Sequence, residues 1–244
     1  MTVQAGSAWH CERIMNAPDC CLPAKKWHRG FGFGVLSASW YARITEKSPG
    51  QYIGDAKKVA EHAPDGSTVL EVAPGPGYLL AGLAKLGRYH ATGIDISRAF
   101  VAIARKNARD AGTDTEFLLG DASAMPFCDD TFGFIICRAA FANFSGPVQA
   151  LREMYRVMRP GGAALIIDLR REATRESVDA EVGGLGLGRV DALVLKWIFR
   201  YDLIPQAYTE EKIRGFLEEA GIPGYEIVAG PVRYELWIRK PARA

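Results

Sequence analysis

Along the 244-residue chain, apolar positions fall into two alternating rhythms. Short unbroken apolar runs are followed by longer stretches in which apolar residues recur every three or four positions. The first rhythm suits a strand buried on both faces, the second a helix with one apolar stripe. A helix is predicted over DAKKVAEHA (55–63), where Ala56, Val59, Ala60 and Ala63 share a side, and Pro64, Asp65 and Gly66 then make a turn. After it come strand TVLEVA (68–73), helix YLLAGLAKLG (78–87) and strand HATGIDI (90–96). Ser97 caps helix RAFVAIARKNARDAG, which Gly112 ends. TEFLLGDA holds a third strand and TFGFIICRAA a fourth. Helix PVQALREMYRVM directs Val148, Leu151, Met154, Tyr155 and Met158 to the core, and Pro160, Gly161 and Gly162 break it before a fifth strand, AALIIDL. TEEKIRGFLEEAG (209–221) is a last helix capped by Thr209, and YEIVAG and VRYELWIRK are closing strands.

Strands alternating with helices at this spacing predict an α/β fold: a Rossmann-like, open, mostly parallel sheet with helices on both faces. The alternation is interrupted at both ends of the core. Residues 1 to about 36 are irregular, with Pro18, Pro23 and the glycines of RGFGFGV, and a helix is expected over 37–47. The expected organisation is an N-terminal arm and substrate-side helix (1–50), a cofactor-binding core (51–169), a cap inserted after strand five (170–207), and a C-terminal helix with closing strands (208–244). Within the cap, Val190, Leu193, Val194, Trp197 and Ile198 share a helical face, which suits core or dimer packing or a lid over an apolar acceptor.

The formal charge of +2 gives no general argument for a nucleic-acid partner, and no apolar run reaches the roughly 20 residues that span a bilayer. The N-terminus lacks a basic segment followed by an apolar one, so no signal peptide is expected. Five cysteines, an odd number, do not read as a disulfide framework, and a cytoplasmic location is the simplest expectation. His10, Cys11, Cys20, Cys21 and His28 do not have zinc-site spacing, although vicinal Cys20 and Cys21 could take a soft metal.

Chemistry enters at the strand ends. Gly75 and Gly77, in EVAPGPG, lie at the carboxyl end of the first strand, where a ligand can approach bare backbone. Asp95 sits at the tip of the second strand, eighteen residues after Gly77, and can accept hydrogen bonds from two ribose hydroxyls. Nicotinamide enzymes share both features, so these alone leave an oxidoreductase open. The next segments separate the readings. GDASAMPFCDDTFGFIICRAAF, followed by RVMRPGG, resembles class I S-adenosylmethionine-dependent methyltransferases over about 68–169, closest to the group of ubiquinone and menaquinone biosynthesis enzymes.

That resemblance implies S-adenosyl-L-methionine as cofactor and a small-molecule acceptor with an apolar or aromatic portion. It implies that Glu71 organises the methionine end, that Gly75 and Gly77 admit the cofactor, that Asp95 holds the ribose and that Ile96 packs on adenine. Asp121 would accept from the adenine amino group, the Ala122 amide would donate to the ring, and Arg138 would border the methionine end and the acceptor. By analogy, Tyr41, Arg43 and Tyr208 are further acceptor-site candidates. The chain departs from the family pattern at Ala73, which replaces the first glycine, and at Pro74 and Pro76; alanine is tolerable there if its backbone angles are ordinary. No residue pair announces a general base and no ligand cluster announces a metal. A non-catalytic cofactor-binding module is the other alternative.

Overall fold

The computed structural model describes residues 49–86 and 88–243. The expected helix at 37–47, the acceptor-site candidates Tyr41 and Arg43, and Cys11, Cys20 and Cys21 lie outside them. Seven strands form one sheet in the order β3-β2-β1-β4-β5-β7-β6. They are β1 (Thr68–Val72), β2 (His90–Asp95), β3 (Glu116–Leu119), β4 (Phe132–Arg138), β5 (Met158–Leu169), β6 (Tyr225–Ala229) and β7 (Arg233–Arg239). The first five are parallel, and β7 runs antiparallel between β5 and β6.

Helices α1 (Pro49–His62), α2 (Tyr78–Ala84) and α3 (Arg98–Asp110) cover one face, packing Val59, Leu79, Leu80, Leu83, Val101 and Ala104 against Val69, Phe134 and Ile136. Helices α4 (Pro147–Val157) and α7 (Glu210–Ala220) cover the other, where Leu151, Met154, Ile213 and Leu217 meet Leu70, Val72, Ile135 and Ile166. Odd and even strand positions therefore point into two separate cores, as the period of two requires. The caps are those expected. Ser97 accepts from the Phe100 amide at 3.4 Å and Thr209 from the Lys212 amide at 3.2 Å.

The chain winds outward from β1 to β2 and β3, then crosses to β4 and β5. The carboxyl ends of β1 and β4 consequently feed connections that leave on opposite sides, which opens a crevice between them.

Two expectations change. The RPGG segment does not separate helix from strand: α4 ends at Val157 and β5 begins at Met158, which is fully buried. The pairing with β4 shifts between Phe132 and Phe134, and this irregularity absorbs Pro160, Gly161 and Gly162. A Cβ on Gly162 would lie 2.9 Å from the carbonyl oxygens of Arg159 and Gly133, so this position tolerates no side chain.

The second change is in the segment after β5. It folds as α5 (Arg175–Gly183), α6 (Arg189–Ile198), a π-helical turn (Phe199–Leu203) and a short turn (Ile204–Gln206). It packs inward through Val178, Val182, Ala192, Leu195 and Phe199 against Leu169 and Val232. The face singled out in the sequence turns the other way: Val190, Leu193 and Trp197 are 75%, 70% and 61% exposed, Val194 is exposed and Ile198 half-buried. Core packing is thereby excluded for the exposed members of that stripe. Helix α6 is apolar around most of its circumference, and periodicity alone does not say which stripe meets the core.

Candidate active site at the ends of strands β1, β2 and β4

Glu71, Asp95 and Arg138 are brought together on the sheet face covered by α1–α3. Glu71 alternates with Leu70 and Val72, which enter the opposite core; Arg138 continues the register of Phe134 and Ile136, and Asp95 that of Ala91. All three stand at or next to carboxyl strand ends, and β1 and β4 flank the crevice.

The loop after β1 is held from several sides. Asp95 accepts from the Gly75 amide at 3.2 Å and the Ser97 amide at 2.8 Å, the Ala73 amide donates to the Ile94 carbonyl, and the Asn107 side chain donates to the Pro76 carbonyl at 2.9 Å. Ala73, Gly75 and Gly77 have φ of 57°, 54° and 76°. The condition set for Ala73 is therefore not met: a β-carbon sits in the left-handed region, a conformation that costs roughly 1–2 kcal/mol. Ala139, just after β4, is also left-handed, with φ 52°.

The two glycines serve different needs. A Cβ on Gly77 would meet the Phe117 ring at 2.7 Å, whereas one on Gly75 would enter open space. Gly93 carries the same constraint as Gly77, at 2.6 Å from Phe117. Phe117 thus packs over two positions without side chains, and Gly75 alone of the three borders an open cradle.

Arg138 pairs with a buried acid. Its Nε donates to Asp55 Oδ2 at 2.5 Å, with both side chains close to 90% buried. Its guanidinium also lies over the Tyr52 ring, 4.8 Å from the centroid, and Tyr52 meets Tyr78 edge-on. Asp55 and Tyr52 belong to α1 and were not among the residues picked out from the sequence. A signal for Asp55 exists there: it lies four residues before Val59 and eight before Ala63, so an acid occupies the apolar stripe of a helix.

Glu71 is 3% exposed, and its Oε2 has no hydrogen-bond partner. Burial pushes its carboxyl up to about 8, the nearby Arg138 charge acting in the opposite direction but losing to desolvation. Burial also raises Asp95, to about 6, against the lowering effect of its backbone donors.

Other candidates are dispersed. Ile96 is half-buried in the turn after β2. Asp121 and Ala122 follow β3 and are half-buried, with Asp121 accepting from the Ser123 amide at 2.8 Å. Tyr208 does not share the core of the Arg138 face: it packs between Phe141 and Phe216 in the other core, at the end of the cap. It also helps to line a concavity of about 640 Å³ with Arg171, Gln206, Thr209 and Lys212.

The donor and acceptor set fits a ligand carrying both hydroxyls and positive charge. An open glycine cradle adjoins a buried carboxylate at Asp95, and Glu71 offers an orphaned acidic oxygen beside it. Among the described residues no group of three acidic, histidine or cysteine side chains could hold a metal ion.

The family model described as "Methyltransferase domain" matches residues 70–166. A demethylmenaquinone methyltransferase of Chlorobaculum tepidum is 33% identical over 159 residues, which is 63% of this chain and 64% of that protein. A ubiquinone/menaquinone biosynthesis C-methyltransferase of Klebsiella pneumoniae is 30% identical over 183 residues, 68% of this chain and 72% of the relative. This chain thus spans about two thirds of the length of these curated relatives. Among solved structures, a SAM-dependent methyltransferase from Aquifex aeolicus superimposes with a TM-score of 0.61 at 22% identity, over 85% of this chain and 98% of the other.

Proposed function

The chain belongs to the S-adenosylmethionine-dependent methyltransferases, and from that premise we propose that its acceptor is a small molecule of the menaquinone-precursor kind, with an aromatic head and an apolar portion. The observation that carries the reading is the grouping of Glu71, Asp95 and Arg138 around the open Gly75 cradle, at the crevice where β1 and β4 diverge. When bound, the cofactor supplies an activated methyl group on a sulfonium.

The protein's part is then binding, orientation and exclusion of water. Asp95 accepts from ribose hydroxyls, Ile96 packs on adenine, and Asp121 with the Ala122 amide reads the adenine edge. Gly77 and Gly75 keep the loop clear, and Glu71 faces the methionine end. Arg138, fixed by Asp55 and Tyr52, presents a positive charge towards the acceptor, which stabilises an acceptor oxygen as its proton leaves. The cap, residues 170–207, together with Tyr208, shapes the acceptor side, and Tyr41 and Arg43 contribute from the N-terminal segment. The near-neutral net charge supports a small-molecule partner over nucleic acid. Among the described residues no helix is long and apolar enough to cross a membrane. A homodimer closing over the outer stripe of α6 is the matching quaternary reading, checked by sedimentation.

The test has two stages. Calorimetric titration is expected to give binding of S-adenosylmethionine and its demethylated product without NAD binding. Demethylmenaquinone reduced chemically to its quinol, and unrelated amine and thiol acceptors, are then offered with the cofactor, and products are read by mass spectrometry. A gain of one methyl on the quinone precursor is expected. NAD binding with no response to either sulfur ligand overturns the cofactor reading, and methylation confined to amines or thiols overturns the acceptor reading.

A further inference from the structure

Three carboxylates and one guanidinium meet at the carboxyl edge of β1, β2 and β4, and their pairing is unequal. Arg138 is engaged by Asp55 at 2.5 Å. Asp95 is satisfied by the amides of Gly75 and Ser97. Glu71 lies between them, almost wholly buried, with Oε2 unpartnered.

The groups facing Glu71 come from every element around it. Arg138 lies on β4, Asp55 on α1, Asp95 on β2, and the Leu80 amide of α2 donates to the Glu71 carboxylate, while the buried Cys137 thiol of β4 points into the opposite core. Two of these groups, Asp55 and Asp95, repel a negative Glu71. Among the described residues the one cation that attracts it, Arg138, is shared with Asp55. An ionised carboxylate buried on such terms is costly, and taking up a proton relieves the cost.

We infer that Asp55 is a positioning residue which, by engaging Arg138, leaves Glu71 without a counter-cation of its own among the described residues, so that Glu71 holds a proton in the ligand-free protein and releases it when the cationic end of the cofactor binds. The balance is simple: Glu71 passes from carboxylic acid to carboxylate, one proton goes to solvent, and the ligand's positive charge takes its place. The inference rests on the proposed role of Glu71 in the cofactor site. It adds that the site favours the charged cofactor over its uncharged-sulfur product through the acid Asp55 keeps unpaired. The carboxyl's elevation to about 8 agrees with this.

The first test needs no ligand. Carboxyl carbon resonances of the full chain are followed against pH, and the Glu71 signal is identified by its loss in Glu71→Gln. It is expected to titrate near 8. Titration in the ordinary glutamate range overturns the inference. In Asp55→Asn, where the Asp55 charge no longer repels Glu71 or competes with it for Arg138, the midpoint should fall by at least about one unit; an unchanged midpoint in a folded Asp55→Asn protein removes Asp55 from the role.

The second test is calorimetry with S-adenosylmethionine at pH 7 in buffers of different ionisation enthalpy. Net release of most of one proton is expected for the parent protein, and markedly less for Asp55→Asn and Glu71→Gln. Binding without proton release, or equal release in Glu71→Gln, overturns the inference while leaving the cofactor reading intact. Loss of all binding by the parent protein counts against the cofactor reading, and the titration of the ligand-free protein still decides the state of Glu71.

Discussion

At the scale of single residues, the site is built where backbone or charge is held in an unfavourable state. Ala73 has a β-carbon at φ 57° in the turn that bears Gly75. Glycine has no such penalty, so Ala73→Gly is expected to stabilise the protein by about 1 kcal/mol, less the greater freedom it gives the unfolded chain. Urea denaturation measures this, and a destabilised variant would show that the alanine methyl contributes packing worth more than its strain. Gly75 and Gly77 separate binding from folding. Gly77→Ala forces a β-carbon into the Phe117 ring and should lower stability by more than about 2 kcal/mol. Gly75→Ala meets open space and carries chiefly the positive-φ penalty of roughly 1–2 kcal/mol, yet places a methyl in the proposed cradle. Its cofactor affinity should fall by a larger factor than its stability accounts for, which paired melts and titrations can read. Glu71 adds a pH dependence. Its folded carboxyl titrates near 8, above the ordinary 4.5. Below about 4.5 both folded and unfolded states hold the proton, and nothing is lost. As pH rises towards 8 the unfolded chain ionises first, so the folded state loses ground by up to about 1.4 kcal/mol per pH unit. Glu71→Gln escapes this loss, and its stability relative to the parent should improve by up to about 3 kcal/mol between pH 5 and 7. Parallel stability curves for the two proteins would contradict the elevated titration.

At the scale of elements, strand alternation does most of the positioning. The period of two sends Leu70 and Val72 into one core and Glu71 to the opposite face, where Arg138 and Asp95 also arrive by parity from β4 and β2. Helix α1 supplies Asp55 and Tyr52 to that face, so one helix ahead of the core completes an ion pair across 83 residues of sequence. Helix α6 behaves differently. It meets the core through Ala192 and Leu195 and leaves its more apolar stripe outside. Of the glycines at 183, 184, 186 and 188 that flank it, Gly186 alone has positive φ; Gly188 and Gly184 cap α6 and α5 in ordinary conformations. Because Leu193 and Trp197 are mostly exposed, Leu193→Ser and Trp197→Ser should each change monomer stability by no more than about 0.5 kcal/mol. Chemical denaturation at low protein concentration checks this. A loss above about 2 kcal/mol would show that the stripe is covered in solution.

At the scale of the whole molecule, the cofactor should act as a folding ligand. Its proposed contacts come from the ends of three strands and the loops that follow them, so only the folded chain can make them together. At a hundred times its dissociation constant, S-adenosylmethionine should stabilise the protein by about 2.7 kcal/mol, a rise of several degrees in melting temperature, with no shift from NAD. An equal shift from NAD would return the oxidoreductase reading. The sequence by itself determined the α/β alternation, the two helix caps at Ser97 and Thr209, the burial of β1, β4 and β5, and the strand ends where Gly75, Asp95 and Arg138 stand. These depend on local periodicity and on residue types that act within a few positions of themselves. Tertiary structure decided what depends on distant partners. It set the left-handed strain at Ala73, the passage of RPGG into β5, the outward turn of the α6 stripe, the separation of Tyr208 from the Arg138 face, and the pairing of Arg138 with Asp55. The last of these fixes the chemistry of the site, because the state of a buried acid depends on which cation reaches it, and that cation's allegiance is settled only when α1 packs against the sheet.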